Sequence, residues 1–130
     1  MTKIVYGALA YLLITFPWAV LWHLVLLKDF YIEMGYVSKE PIIALGFASI
    51  LIQGLLLSYI YPRAFTQTGL MANALKFSGL AFIYLWTSHV LSFAAKGHLT
   101  SLPLFIGIES LYLALQFLFF GLALGRIYKN

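Results

Sequence analysis

Residues Gly107 to Gly125 read GIESLYLALQFLFFGLALG, and this run decides the fold: it is apolar enough to cross a bilayer and yet carries a carboxylate, Glu109. An ionisable side chain at membrane depth costs roughly 2.5–3.5 kcal/mol on insertion scales, so it normally faces a bundle interior or a watery cavity and has a partner there. Glu109, Tyr112 and Gln116 stand at i, i+3 and i+7, which places a carboxylate, a phenol and an amide on one helix face. Gly121 and Gly125 follow as a small-xxx-small pattern that lets another backbone come close, within the bundle or between copies.

The rest of the chain agrees with a membrane setting. Of its 130 residues, 63% are hydrophobic and 9% charged, where soluble domains average about 45–50% and about 25%. Mean hydropathy is +0.96. A chain of this length is expected to form a single integral membrane domain. Cysteine is absent, which excludes disulfides, thiolate catalysis, iron-sulfur clusters and thiolate zinc sites. The net charge of +4 sits in loops and ends and forms no basic stripe, so nucleic acid is not an expected partner. The lipid bilayer is.

Four spans can be placed at about 4–27, 42–61, 77–95 and 103–125, each near the roughly 20 residues a crossing requires. The first is too long for a signal-peptide core and lacks an A-x-A cleavage site, so it is expected to be retained. Pro17 should kink it. Trp18 and Trp22 read as interfacial anchors in lipid contact. The stretch 28–40, KDFYIEMGYVSKE, reads as an interfacial loop. Pro41 suits the start of span two, Tyr61-Pro62-Arg63 its end, and Thr66, Gln67, Thr68 and Gly69 a turn. The expected fold is therefore all-α, a four-helix transmembrane bundle, up-down-up-down. The side holding the termini carries Lys3, Arg63, Lys76, Arg126 and Lys129, and the other carries Lys28, Lys39 and Lys96. The positive-inside rule then puts both termini in the cytoplasm.

In that orientation His23, His89 and Glu109 lie about 6, 9 and 10 Å from the outer ends of their spans at about 1.5 Å per residue. They share a layer, and Gln53 and Gln116 share a deeper one. The two halves also echo each other, with His23, Pro41, Gly46, Gln53 and Arg63 followed in order by His89, Pro103, Gly107, Gln116 and Arg126. Such an echo predicts two pseudo-repeated helical hairpins related by an axis along the membrane normal.

These residues support three functional readings. In the leading one, His23, His89, Glu109 and Tyr112 line an outward-facing pocket that binds or transports a small solute or ion, without enzymatic activity and without a cofactor. Glu109 then works with His89, Tyr112 and Ser88 or Ser92 as a proton or cation relay. In the second, His23 and His89 ligate a haem or a metal ion in a redox subunit. In the third, the protein is an accessory subunit of a larger membrane complex: a protonated Glu109 donates a hydrogen bond across the bundle, and Gln53 and Gln116 are interhelical ties worth about 0.6 kcal/mol each. A homo-oligomer through Gly121 and Gly125 is expected. Trp22-His23, the K-D-F-Y loop, Y-P-R at Tyr61 to Arg63, and E-x-x-Y-x-x-x-Q from Glu109 to Gln116 together resemble small four-span bacterial inner-membrane proteins of uncharacterised families. That resemblance implies the topology and location, and no activity.

Overall fold

The computed structural model of the protein describes residues 1–65 and 69–129; the turn residues Thr66, Gln67 and Thr68 and the last residue, Asn130, lie outside the described residues. The described residues form four long helices and one short one, and no strand. The long helices are α1, Thr2–Leu26, α3, Ile43–Ala64, α4, Leu70–Lys96, and α5, Leu102–Lys129, and each is long and apolar enough to cross a membrane. The short helix α2, Lys28–Glu33, follows α1 directly. The fold is the expected all-α four-helix bundle.

Local chemistry explains most of the boundaries. Pro103 lies in the first turn of α5, where its missing N–H leaves no helix bond unmade. Pro17 lies inside α1 and cannot donate to the carbonyl four residues back. Just past it the helix widens into i to i+5 bonding over Val20–Leu26, ending with Leu27 N–H on the Trp22 carbonyl at 3.1 Å. The same widening recurs in α4 over Trp86–Leu91, where no proline is present. Each widened turn carries one of the intramembrane histidines.

Two sequence-based boundaries move. Pro62 does not end α3, which continues to Ala64; the Ser58 carbonyl that Pro62 cannot serve faces the Tyr128 hydroxyl at 3.5 Å instead. Helix α4 starts at Leu70, where the turn composition gives way to a helical run, so the helix extends seven residues ahead of the apolar span expected from Phe77. The stretch 28–40 is also more ordered than an interfacial loop. After α2, Gly35 adopts φ +85°, a left-handed conformation suited to glycine, and both Tyr36 and Val37 N–H groups return to the Tyr31 carbonyl. Thr100 N–H reaches the Met34 carbonyl at 3.4 Å and ties the two loops of that end together. Tyr31 and Met34 are consequently buried in the core.

Helix α5 is central. One stripe of its buried residues, Glu109, Tyr112, Gln116 and Phe120, turns toward α1 and the middle of the bundle, and Phe120 meets Tyr11 edge-on at 4.9 Å. Another, Phe117, Gly121 and Gly125, turns toward α4. A Cβ on Gly121 would lie 2.9 Å from Ser78 Cβ, one on Gly125 would lie 2.5 Å from Met71 Sδ, and the Ser78 hydroxyl donates to the Phe117 carbonyl. The two glycines thus pack α5 on α4 inside one molecule, and the expected pairing of copies through them finds no free surface. On the other side Gly54 brings α3 against α1, where a Cβ would lie 3.0 Å from the Ala8 carbonyl. Helices α1 and α3, α4 and α5, and α1 and α5 pack along their lengths, whereas α3 and α4 scarcely touch. Exact repetition of two hairpins would make α3 meet α4 as α5 meets α1; the bundle departs from its own internal echo there.

Candidate functional site

The Glu109 carboxylate is fully buried at the end of the bundle opposite both termini, and three other helices supply its partners. From α1, His23 Nε2 lies 3.1 Å from both carboxylate oxygens. From α4, His89 Nε2 lies 2.9 Å from Oε1. From α2, the Tyr31 hydroxyl donates to Oε2 at 2.6 Å and itself accepts the Trp22 indole N–H at 2.9 Å. Tyr36, in the loop after α2, places its hydroxyl 2.6 Å from His89 Nε2. A buried carboxylate is tolerated only when its lone pairs are satisfied, and here both oxygens are.

The protonation of the His23 and Glu109 pair follows from hydrogen-bond roles. His23 Nδ1 lies 3.1 Å from the Ala19 carbonyl, which can only accept, so Nδ1 carries a hydrogen. Nε2 then meets the carboxyl group in one of two ways: as a second donor to a carboxylate, or as an acceptor from a protonated acid. In both forms the pair holds one proton between Nε2 and the carboxyl oxygens. Burial beside Glu109 pushes the phenol pKa values of Tyr31 and Tyr36 well above the ordinary value, desolvation being the larger cause, so both stay neutral.

The structure brings His23, His89 and Glu109 together. Tyr112 joins them through its ring, whose centroid is 4.5 Å from that of His23, rather than through its hydroxyl. Ser88 bonds the carbonyls of Tyr84 and Leu85 in its own helix. Gln53 and Gln116 meet through a third side chain, Tyr11, which donates to Gln53 Oε1 at 2.8 Å and accepts from Gln116 Nε2 at 3.2 Å. Trp18 and Trp22 are not simple lipid anchors, because their indole N–H groups point inward, to the Tyr112 carbonyl at 3.3 Å and to Tyr31. Tyr31 and Tyr36 escaped the sequence reading altogether. Their only signal was the run of aromatic residues in 28–40, which membrane interfaces also produce.

Beside this cluster lies an open cavity of about 570 Å3. His23, His89, Tyr36 and Tyr112 contribute to its wall at the cluster end, Thr15, Gln53 and Gln116 at the deeper end, and Gly46 and Ser49 of α3 along one side. Its wall includes residues of both α3 and α4, the two helices that scarcely touch.

Both Nε2 atoms contact the same Glu109 oxygen, so His23 and His89 turn toward the carboxylate. Among the described residues no group of three histidine, cysteine, aspartate or glutamate side chains is arranged to hold a metal ion. Comparison with protein-family models, curated proteins and solved structures gave no match.

Proposed function

We propose that the protein is a membrane-integral unit that binds or transports a small solute, with the cavity as its binding site and the shared proton of His23 and Glu109 exchangeable with the occupant. The observation that carries this reading is that the rings of His23 and His89, both bonded to one fully buried carboxylate, form part of a cavity wall. A purely structural carboxylate needs no such exposure of its partners: His89 leaves 39% of its side chain accessible while Glu109 leaves none. The cavity lies in the size range of about 300–1,000 Å3 common to small-molecule sites. The excess of basic residues on the side of the termini supports a bacterial inner-membrane orientation with those termini inside and the cavity end outside.

Native mass spectrometry of the detergent-purified protein tests the reading. A non-protein mass on the wild type that disappears when Gly46→Phe fills the cavity supports it; no difference between the two proteins sinks it. A visible spectrum and metal analysis of the same sample decide the competing redox reading. A Soret band or a stoichiometric metal would replace the solute account, with His23→Ala and His89→Ala losing the chromophore or ion.

A further inference from the structure

Resting on that binding reading, we propose that the occupant is an amphiphile with an uncharged, hydrogen-bonding head held in the cavity and a hydrocarbon tail that leaves the bundle between α3 and α4. The side chains on the wall define the head. They include no lysine, arginine, aspartate or glutamate. Glu109 lies behind the histidines, and the proton it shares with His23 leaves that pair neutral as a unit. A phosphate or carboxylate head would enter without a free cation to meet it, and burying an unpaired charge is far costlier than burying a hydrogen-bonded neutral group.

The wall does offer hydrogen-bonding side chains. Thr15, Ser49, Gln53 and Gln116 bring two hydroxyls and two amides to it. A hydroxyl or carbonyl on the occupant matches these neutral donors and acceptors. His89 bonds through Nε2, and its accessible ring stands near the other end of the wall. Thr15 and His23 are eight residues apart on α1, so the polar groups span about 12 Å at 1.5 Å per residue.

The tail is argued from α3. Every residue from Pro41 to Ser49 is exposed, on the cavity side as well as the outer side. A Cβ at Gly46 would meet nothing within 4 Å. The half-helix therefore stands away from α4 and leaves a slot, and the slot is edged by Ile42, Ile43 and Leu85. An occupant confined to water-soluble size would leave this apolar slot unfilled; a hydrocarbon chain fills it and continues into lipid without further cost.

The test uses photolabelling of the full chain in nanodiscs by a monoacylglycerol with a diazirine in its acyl chain, beside a lysophosphatidic acid with the same chain. Labelled residues are mapped by peptide mass spectrometry. We expect the uncharged probe to label cavity residues of α3 and α4, to be displaced by excess monooleoylglycerol, and to fall about tenfold, or about 1.4 kcal/mol of binding, with Gly46→Phe. Thr15→Val, which removes the hydroxyl at constant volume, should weaken displacement severalfold. Ser49→Phe fills the same wall should Gly46→Phe fail to fold. Equal labelling by the lysophosphatidic acid would overturn the uncharged head, and labelling that ignores both filling variants would overturn the site. A native mass adduct without probe labelling overturns the amphiphile and leaves solute binding standing; absence of both overturns both.

Discussion

At the residue scale, the decisive feature is one carboxylate with three side chains that lose a partner if it goes. Replacing Glu109 by Ala leaves Tyr31 and His23 facing an apolar void, where each buried polar group left unpaired costs about 1–3 kcal/mol, and removes one partner from the more accessible His89. Glu109→Gln keeps the shape but removes the site of the shared proton. We therefore expect thermal unfolding in detergent to drop strongly for Glu109→Ala and less for Glu109→Gln, with solute-coupled proton exchange abolished in both. Melting temperatures of both variants equal to that of wild type would show that the carboxyl group holds nothing together. Tyr31→Phe deletes one donor to Oε2 and the acceptor of Trp22, and should cost about 1–3 kcal/mol with a shift in tryptophan emission.

The phenols also set a pH dependence. Tyr31 and Tyr36 have folded-state pKa values raised by burial, while in the unfolded chain tyrosine titrates near 10. Their contribution to stability is complete below about pH 10 and declines as pH rises from there through the higher folded values, because the unfolded state releases those protons first. Unfolding titrations of wild type and Tyr36→Phe between pH 8 and 12 should differ by a constant offset up to about pH 10, with wild type losing stability relative to the variant only above it. Of this cluster, the sequence made Glu109, His23 and His89 visible, because an ionisable residue in an apolar run stands out and depth can be counted along a helix. Tyr31 and Tyr36 were hidden because their role comes from a chain reversal at Gly35, which hydropathy does not register.

At the element scale, widened turns and glycine contacts carry the geometry. Helix widening at Val20–Leu26 and Trp86–Leu91 rotates the following residues relative to a regular helix, and each histidine lies inside such a segment. The first has a legible cause in Pro17; for the second we have no physical account from the local sequence. The number of spans and the buried face of α5 were legible because composition and the 3.6 period fix them. The role of Gly121 and Gly125 was legible only as close packing, since a small-residue pattern does not name its partner. Gly121→Val would press on Ser78 and Leu75 and should cost about 1–3 kcal/mol by overpacking, read as a lower melting temperature. A change of oligomeric state with unchanged melting temperature would place that surface between copies instead.

At the scale of the whole molecule, three helix pairs are tightly packed and the fourth is open. No reading of hydropathy could show this, because the residues of α3 between Pro41 and Ser49 are as apolar as a packed helix face. We expect spin labels on Ile43 and Leu85, across the open side, to give a broad distance distribution. Labels spanning α1 and α5 should give a narrow one. Narrow distributions for both pairs would mean that α3 and α4 are held together after all.

The open side has one more consequence, drawn from what α3 does not supply. It packs on α1 through Gly54, against Ala8 and Tyr11, and through Phe47, edge-on to Phe16 at 5.3 Å, and it gives nothing to Glu109. The outer half of α3 thus borders the slot without touching the carboxylate. A change in the width of the slot would leave every bond to Glu109 made. Access and proton storage fall to different helices in this bundle, so admitting a guest does not require disturbing the charge beside it.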